Sequence, residues 1–184
     1  MKFARMRKVK HLSPKVTEMV CNCIVDKPTY PQNHEWGPLL WWILHTLAEK
    51  AGRQTDPLLQ ADEGRAWPLF VKELPGMLPC PYCRDHLQDY LRVTPFVLPA
   101  DSAAWRAYVP TFFYELHEAV NARLDKPSFP RSALTETYKN PSAFKEKLTA
   151  LQSVEERAIK QQGVTLFAWR AWLKQLTLLR ATIL

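Results

Sequence analysis

Apolar positions recur at helical spacing along most of this chain, most plainly near its end. Leu166, Trp169, Leu173 and Leu176 follow one another at intervals of three and four, the spacing that gathers side chains on one face of an α-helix. Phe167, Trp172, Leu178 and Leu179 add apolar area off that stripe. The pattern therefore predicts a last helix over 164–179, buried against the bundle or another surface. Upstream, 141–161 reads as a helix with a largely polar surface, Asn140 as its N-cap and Pro141 at the first helical position. A helix over 35–51 has Asn33 as predicted N-cap, Glu35 in its first turn, Pro38 near its start and Gly52 as its stop. A second covers 61–74, bent by Pro68 or starting near Ala66 because of it, and Pro75-Gly76 breaks it. A third spans 80–91 with Pro81 in its first turn. A fourth covers 102–124, where Pro110 is expected to kink or split it. Convincing strands are absent, so the predicted fold class is all-α.

Composition agrees with that pattern. A hydrophobic fraction of 47% over 184 residues suffices for one compact core with extensions. The formal net charge is +7, and Lys2, Arg5, Arg7, Lys8, Lys10 and Lys15 place much of the excess in residues 1–15. Such a stretch reads as a solubilising basic arm, and nucleic acid is not the expected partner. No apolar run follows the basic start, so no secretory signal is read. Arg170, Lys174, Gln175 and Arg180 interrupt the apolar end of the chain, so stable membrane insertion is not expected either.

Candidate chemistry concentrates at Cys80-Pro81-Tyr82-Cys83, with His86 shortly after. A cysteine at a helix N-terminus faces partial positive charge, which favours its thiolate, and a Cys-x-x-Cys pair suits the relay of two electrons. Other readings stand beside this one. The cysteines can be ordinary thiols. With Cys21 and Cys23 they can form a four-thiolate structural zinc site in a helical adaptor, although the single residue between Cys21 and Cys23 suits a zinc knuckle poorly. A thioredoxin-like reading needs a βαβ frame that the segment before Cys80 does not offer. A redox dithiol also needs an electron acceptor. Trp36, Trp41, His45, His86, His117 and Asn121 lie on segments that can converge with the pair, and this wealth of aromatics and imidazoles suggests a planar cofactor. A haem held by His45 and His117 competes with that; a covalent haem does not, because Arg84 rather than histidine follows Cys83.

Three stretches together resemble the Erv/ALR family of FAD-linked sulfhydryl oxidases. Trp36-Gly37-Pro38-Leu39-Leu40-Trp41-Trp42-Ile43-Leu44-His45-Thr46 is similar to the family's Trp-Gly-Pro, Trp, Leu-His-Thr pattern. Leu78-Pro79-Cys80-Pro81-Tyr82-Cys83-Arg84-Asp85-His86 is similar to its Pro-Cys-x-x-Cys-x-x-His core. His117-Glu118-Ala119-Val120-Asn121-Ala122-Arg123-Leu124-Asp125-Lys126-Pro127 is similar to its His-x-x-Val-Asn-x-x-Leu-x-Lys element. The resemblance implies an FAD-binding four-helix bundle with a short fifth helix, to which this chain adds C-terminal helices. It implies FAD contacts from Trp36, Gly37, Trp41, His45, His86, His117 and Asn121. It gives the phosphates or ribose to Lys126, with Arg123 as a further cation near the pyrophosphate. It also implies that a thiol-containing protein substrate, or an internal shuttle pair, attacks Cys80. Cys83 then passes electrons to the flavin, and dioxygen takes them to give hydrogen peroxide. On that basis Cys80 should be solvent-accessible and Cys83 shielded, and no metal ligand is assigned.

The division that follows is a flexible basic arm over 1–33 carrying Cys21 and Cys23, an FAD-binding oxidase domain over 34–130, and a C-terminal helical extension over 131–184. Relatives with a distal shuttle pair make Cys21 and Cys23 the candidate shuttle. Relatives that dimerise make a homodimer the expected assembly. The lack of cysteines for an accessory disulfide is similar to the viral members. That suggests the cytoplasm of a host cell or the virion as setting, ahead of the mitochondrial intermembrane space.

Overall fold

The computed structural model describes residues 30–184. Among them the architecture is helical throughout: α1 (Asn33–Ala48), α2 (Pro57–Glu73), α3 (Pro81–Val93), α4 (Trp105–Arg123), a short α5 (Leu134–Tyr138), α6 (Phe144–Lys160) and α7 (Leu166–Ile183). A 3₁₀ turn, Leu74–Met77, leads from α2 toward α3. No strand occurs among the described residues. Cys21, Cys23 and the basic arm before Tyr30 lie outside the described residues.

The start of α1 differs from the expected one by a residue, with a consequence for the site. Gln32 is the N-cap, and its backbone N–H donates to the Glu35 carboxylate at 2.8 Å. That reciprocal arrangement satisfies one of the orphan donors of a helix end. Asn33 is thereby released from capping and becomes the first helical residue. Gly52 follows the helix with φ +64, a conformation open to glycine at little cost. A Cβ there would stand 2.7 Å from the Ser102 carbonyl oxygen, so the close approach of α1's end to the start of α4 also requires glycine.

Two prolines were expected to bend or interrupt their helices, and neither interrupts one. α2 starts at Pro57, capped by Asp56, whose carboxylate accepts from Leu58 and Leu59 N–H, and runs unbroken past Pro68. α4 likewise runs past Pro110. A proline removes one backbone bond, but packing of an apolar face supplies most of a helix's stability in a protein. Here Trp67 and Phe70 hold α2 around Pro68, and Val109, Phe112 and Phe113 hold α4 around Pro110; all five are buried. The helix read over 141–161 begins later, at Phe144, because Asn140 caps a local turn: its Oδ1 accepts from Ser142 N–H at 3.0 Å. The chain before it forms the separate short α5.

The core is aromatic. Trp67, Phe70, Phe113 and Trp172 are fully buried, and Trp172 of α7 packs on Phe70 of α2 with ring centroids 5.4 Å apart. α7 lies along α2 and α6 along α1, so the C-terminal helices share one hydrophobic core with the first four. Burial of that area from water is the main force joining them. The last helix finds its partner within the chain, but its buried face is turned from the expected stripe: Trp169 and Leu176 are buried together with Trp172 and Leu179 from outside it, while Leu173 is half-buried and Leu166 exposed. Phe167 and Leu178, off that stripe, remain exposed.

Candidate active site

The dithiol sits where α3 begins. Cys80 is the N-cap, and its sulfur accepts the N–H of Cys83 at 3.2 Å. Pro81 occupies the first helical position, where a missing N–H costs nothing. Both cysteines are thiols, with no disulfide between them. The amide donor at this helix end is aimed at Cys80, not Cys83. Burial pushes the Cys83 thiol up to about 11, and its hydrogen bond with Cys80 adds to the rise, against smaller opposing effects of Asn33 and Arg123. The thiolate character expected of a cysteine at a helix N-terminus is therefore not found at Cys83.

Exposure of the pair also differs from expectation. Cys80 is only 8% exposed. Pro79 beside it is covered by Gly163 of the α6–α7 turn, and Tyr30 is close enough to both sulfurs for their charge to raise its phenol after burial itself. Cys83 is half-buried and faces a cavity of about 670 Å³ between α1, α3 and α4. The Cys83 thiol donates to Asn33 Oδ1 at 3.6 Å, a long contact of the kind sulfur makes.

That cavity gathers the predicted cofactor residues. Trp36, Gly37, Trp41, His86, His117, Asn121, Arg123 and Lys126 line it together with Cys83. His45 stands behind the lining: its Nε2 lies 3.0 Å from His117 Nδ1. Trp41 stacks on His117 with centroids 3.9 Å apart and planes 5° from parallel. Burial drives His45 down to about 3, with the neighbouring His117 adding to the shift, and burial drives His117 down to about 4. Both imidazoles are thus neutral at pH 7, so one donates and the other accepts across the 3.0 Å contact. Asn121 is held by Glu118, whose carboxylate accepts from its Nδ2 at 3.0 Å. The same carboxylate accepts from Phe129 N–H and from the Ser128 hydroxyl, fixing the loop that carries Lys126. Arg123 reaches the His86 ring and joins α4 to α3 across the cavity.

Tyr138 and Asn33 are among the lining residues that went unrecognised in the sequence. Tyr138 comes from α5 and stacks on His45 at 4.8 Å. Asn33 was read as a cap, and its side chain meets Cys83 instead. Neither carries a local signal for this, because each depends on where another element lies. Among the described residues no cluster of three or more His, Cys, Asp or Glu can hold a metal ion. The four-cysteine zinc reading depends on Cys21 and Cys23, outside the described residues.

The profile of the Erv1 / Alr family matches residues 38–139. The chain belongs to the Erv1 / Alr family. Family membership makes it an oxidoreductase of the sulfhydryl oxidase kind. Relatives include the provisionally named FAD-linked sulfhydryl oxidase 096R of Invertebrate iridescent virus 3, 33% identical over 106 residues that cover 58% of this chain and 67% of the relative. A second, provisionally named FAD-linked sulfhydryl oxidase 347L of Invertebrate iridescent virus 6, is 33% identical over 103 residues, 54% of this chain and 87% of that protein. A third, under the same kind of provisional name, is 088R of Frog virus 3 (isolate Goorha), 31% identical over 94 residues, 50% of this chain and 58% of that protein. The likeness is to viral members. No solved structure matches the chain. α6 and α7 lie beyond the matched residues. No helix among the described residues is long and apolar enough to cross a membrane.

Proposed function

We propose that this protein oxidises thiols to disulfides through Cys80 and Cys83, with FAD as its resident cofactor and dioxygen as terminal acceptor. The observation that carries this reading is the place of Cys83: its sulfur stands at the wall of the cavity that holds the Trp41–His117 stack, Asn121, Arg123 and Lys126. The lining fits a dinucleotide. Its volume falls within the range of cofactor sites, about 300–1,000 Å³. The planar stack offers a surface for a flat ring, and the two cations suit phosphates. Trp36 Nε1 is a buried donor with no acceptor among the described residues, which a bound polar ligand would satisfy.

The chain's own residues divide the exchange chemistry. A substrate thiolate attacks Cys80 Sγ of the oxidised pair. The Cys80–Cys83 bond breaks, a mixed disulfide forms at Cys80, and Cys83 leaves as a thiol, having taken up a proton. The second substrate thiolate then attacks the mixed disulfide, so the substrate departs as a disulfide and both cysteines are reduced. The substrate has lost two electrons and the pair has gained them. Asn33 Oδ1 and the helix-end amide hold the two sulfurs in place. Neutral His117, backed by neutral His45, presents a flat, uncharged surface at the cavity wall. FAD held by Trp41, His117, Asn121, Arg123 and Lys126 would supply a two-electron acceptor for the reduced pair.

Cys21 and Cys23 enter the proposal as the shuttle to protein substrates. Cys23 lies seven positions before Tyr30, at most about 25 Å of extended chain, and Tyr30 lies beside the pair. A homodimer would form on surfaces other than the faces of α1 and α2 that α6 and α7 already cover.

The deciding experiment is purification and assay of the full chain. The protein should carry stoichiometric flavin, consume oxygen with a dithiol, and lose turnover on Cys80→Ser or Cys83→Ser. A colourless protein with stoichiometric zinc would overturn the reading in favour of a metal-bound adaptor. Joint Cys21→Ser and Cys23→Ser replacement should spare small dithiols and slow a protein substrate; equal effects on both would remove the shuttle from the scheme.

A further inference from the structure

The turn between α6 and α7 lies outside the stretch that matches the family, yet it touches the redox turn. α6 closes with two backbone bonds, Gln162 N–H to Ile159 O at 3.1 Å and Gly163 N–H to Ala158 O at 2.9 Å, and Gln162 takes φ 60. This closure commits the Gly163 N–H to α6 and leaves its carbonyl available to a neighbour. Arg84, the residue after Cys83, reaches that carbonyl. Its Nη2 donates to Gly163 O at 2.8 Å and to Leu78 O at 3.0 Å. One guanidinium nitrogen thus bridges the segment entering the dithiol and the C-terminal hairpin.

Close packing accompanies the bridge. A Cβ on Gly163 would stand 2.7 Å from Tyr30 Cβ and 3.3 Å from the Pro79 carbonyl oxygen, so only glycine admits this approach. Arg84 Nε is buried and meets no acceptor among the described residues. The side chain is therefore drawn in at some desolvation cost and held by neutral carbonyls rather than by an exposed ion pair. Cys80 follows directly on Pro79 and is withdrawn from solvent.

We infer that Arg84 is a positioning residue for thiol–disulfide exchange: by fastening the segment before Cys80 to the Gly163 carbonyl, it sets how deeply Cys80 is recessed. The inference rests on the exchange reaction proposed above, but its first readout, the alkylation of Cys80, requires neither flavin nor turnover.

The test is peptide-resolved alkylation of Cys80 by iodoacetamide in the reduced full-length protein, with thermal melting as the control for folding. Arg84→Met and Gly163→Ala should each speed alkylation about fivefold or more, the scale of one lost hydrogen bond. The double variant should react no faster than the faster single variant, because both changes break one contact. Arg84→Lys, which keeps the charge but not the planar fork, should fall between wild type and Arg84→Met. Equal rates in wild type and Arg84→Met, or multiplied effects in the double variant, would overturn the inference. If Gly163→Ala does not fold, kinetics of Arg84→Met decide. A rise in kcat/KM for a protein thiol relative to a small dithiol supports a recess that hinders bulky partners, and an unchanged ratio overturns it. A wild-type protein inert toward dithiols would instead defeat the oxidase reading and leave the alkylation result intact.

Discussion

His45 Nε2 and His117 Nδ1 lie 3.0 Å apart although the residues are 72 positions apart in the chain. Trp41 stacks on His117 and Tyr138 on His45, so the two neutral imidazoles lie among aromatic rings, His117 at the cavity wall and His45 behind it.

Stability should fall as the solution is acidified from about pH 6.5. Both imidazoles have folded values below the usual 6.5, near 3 and 4. The unfolded chain therefore binds protons at a pH where the folded chain does not. The stabilisation is complete above 6.5 and is lost progressively toward 3–4. Urea unfolding from pH 7.5 to 4.5 checks this, and His45→Gln should flatten the acid limb. An unchanged profile would show that the pair does not titrate as its burial demands.

Glu155 should act in the opposite direction. It is fully buried on α6, with no partner for either carboxylate oxygen among the described residues, and burial raises it to about 8. The folded state then binds the extra proton, so stability declines as pH rises from about 4.5 to about 8, by on the order of 1 kcal/mol per unit. Glu155→Gln should remove most of that slope while changing stability little at pH 4.5.

Tyr138→Ala should weaken flavin binding about tenfold, the scale of one lost aromatic contact in a binding site. Tyr138→Phe should bind as wild type, since the ring and not the hydroxyl meets His45. Equal weakening in both variants would point to the hydroxyl instead. Flavin titration followed by fluorescence separates the two outcomes.

The Cys83 thiol should resist alkylation at neutral pH and become reactive only as the solution approaches its value of about 11. Peptide mass spectrometry of the reduced protein across a pH series measures this. Rapid labelling of Cys83 at pH 7 would mean that burial does not govern its ionisation.

Trp172→Ala should cost about 3–5 kcal/mol, the range for emptying a large aromatic site in a core. The side chain is fully buried against Phe70 and Trp169. Thermal unfolding with turnover measured below the melting transition distinguishes this from a direct effect on catalysis. A loss under 1 kcal/mol would mean that α7 docks only loosely on α2.

Sequence alone determined the helical fold class and the family. Its three motifs rest on residue identity and short spacing: the Trp-Gly-Pro start, the Cys-x-x-Cys pair and the His-x-x-Val-Asn element are each local, and the helical period shows in any window. Their convergence on one cavity followed from the resemblance, not from spacing. The tertiary structure decided what depends on distant neighbours. Pro68 and Pro110 leave their helices unbroken because buried apolar side chains on either side outweigh a missing backbone bond. Asn33 turns from capping to Cys83 because Gln32 and Glu35 already close the helix start. Cys80 is recessed because the α6–α7 turn, some eighty residues later, packs on Pro79. Burial and the ionisation it controls are properties of the assembled core, and no stretch of sequence carries them by itself.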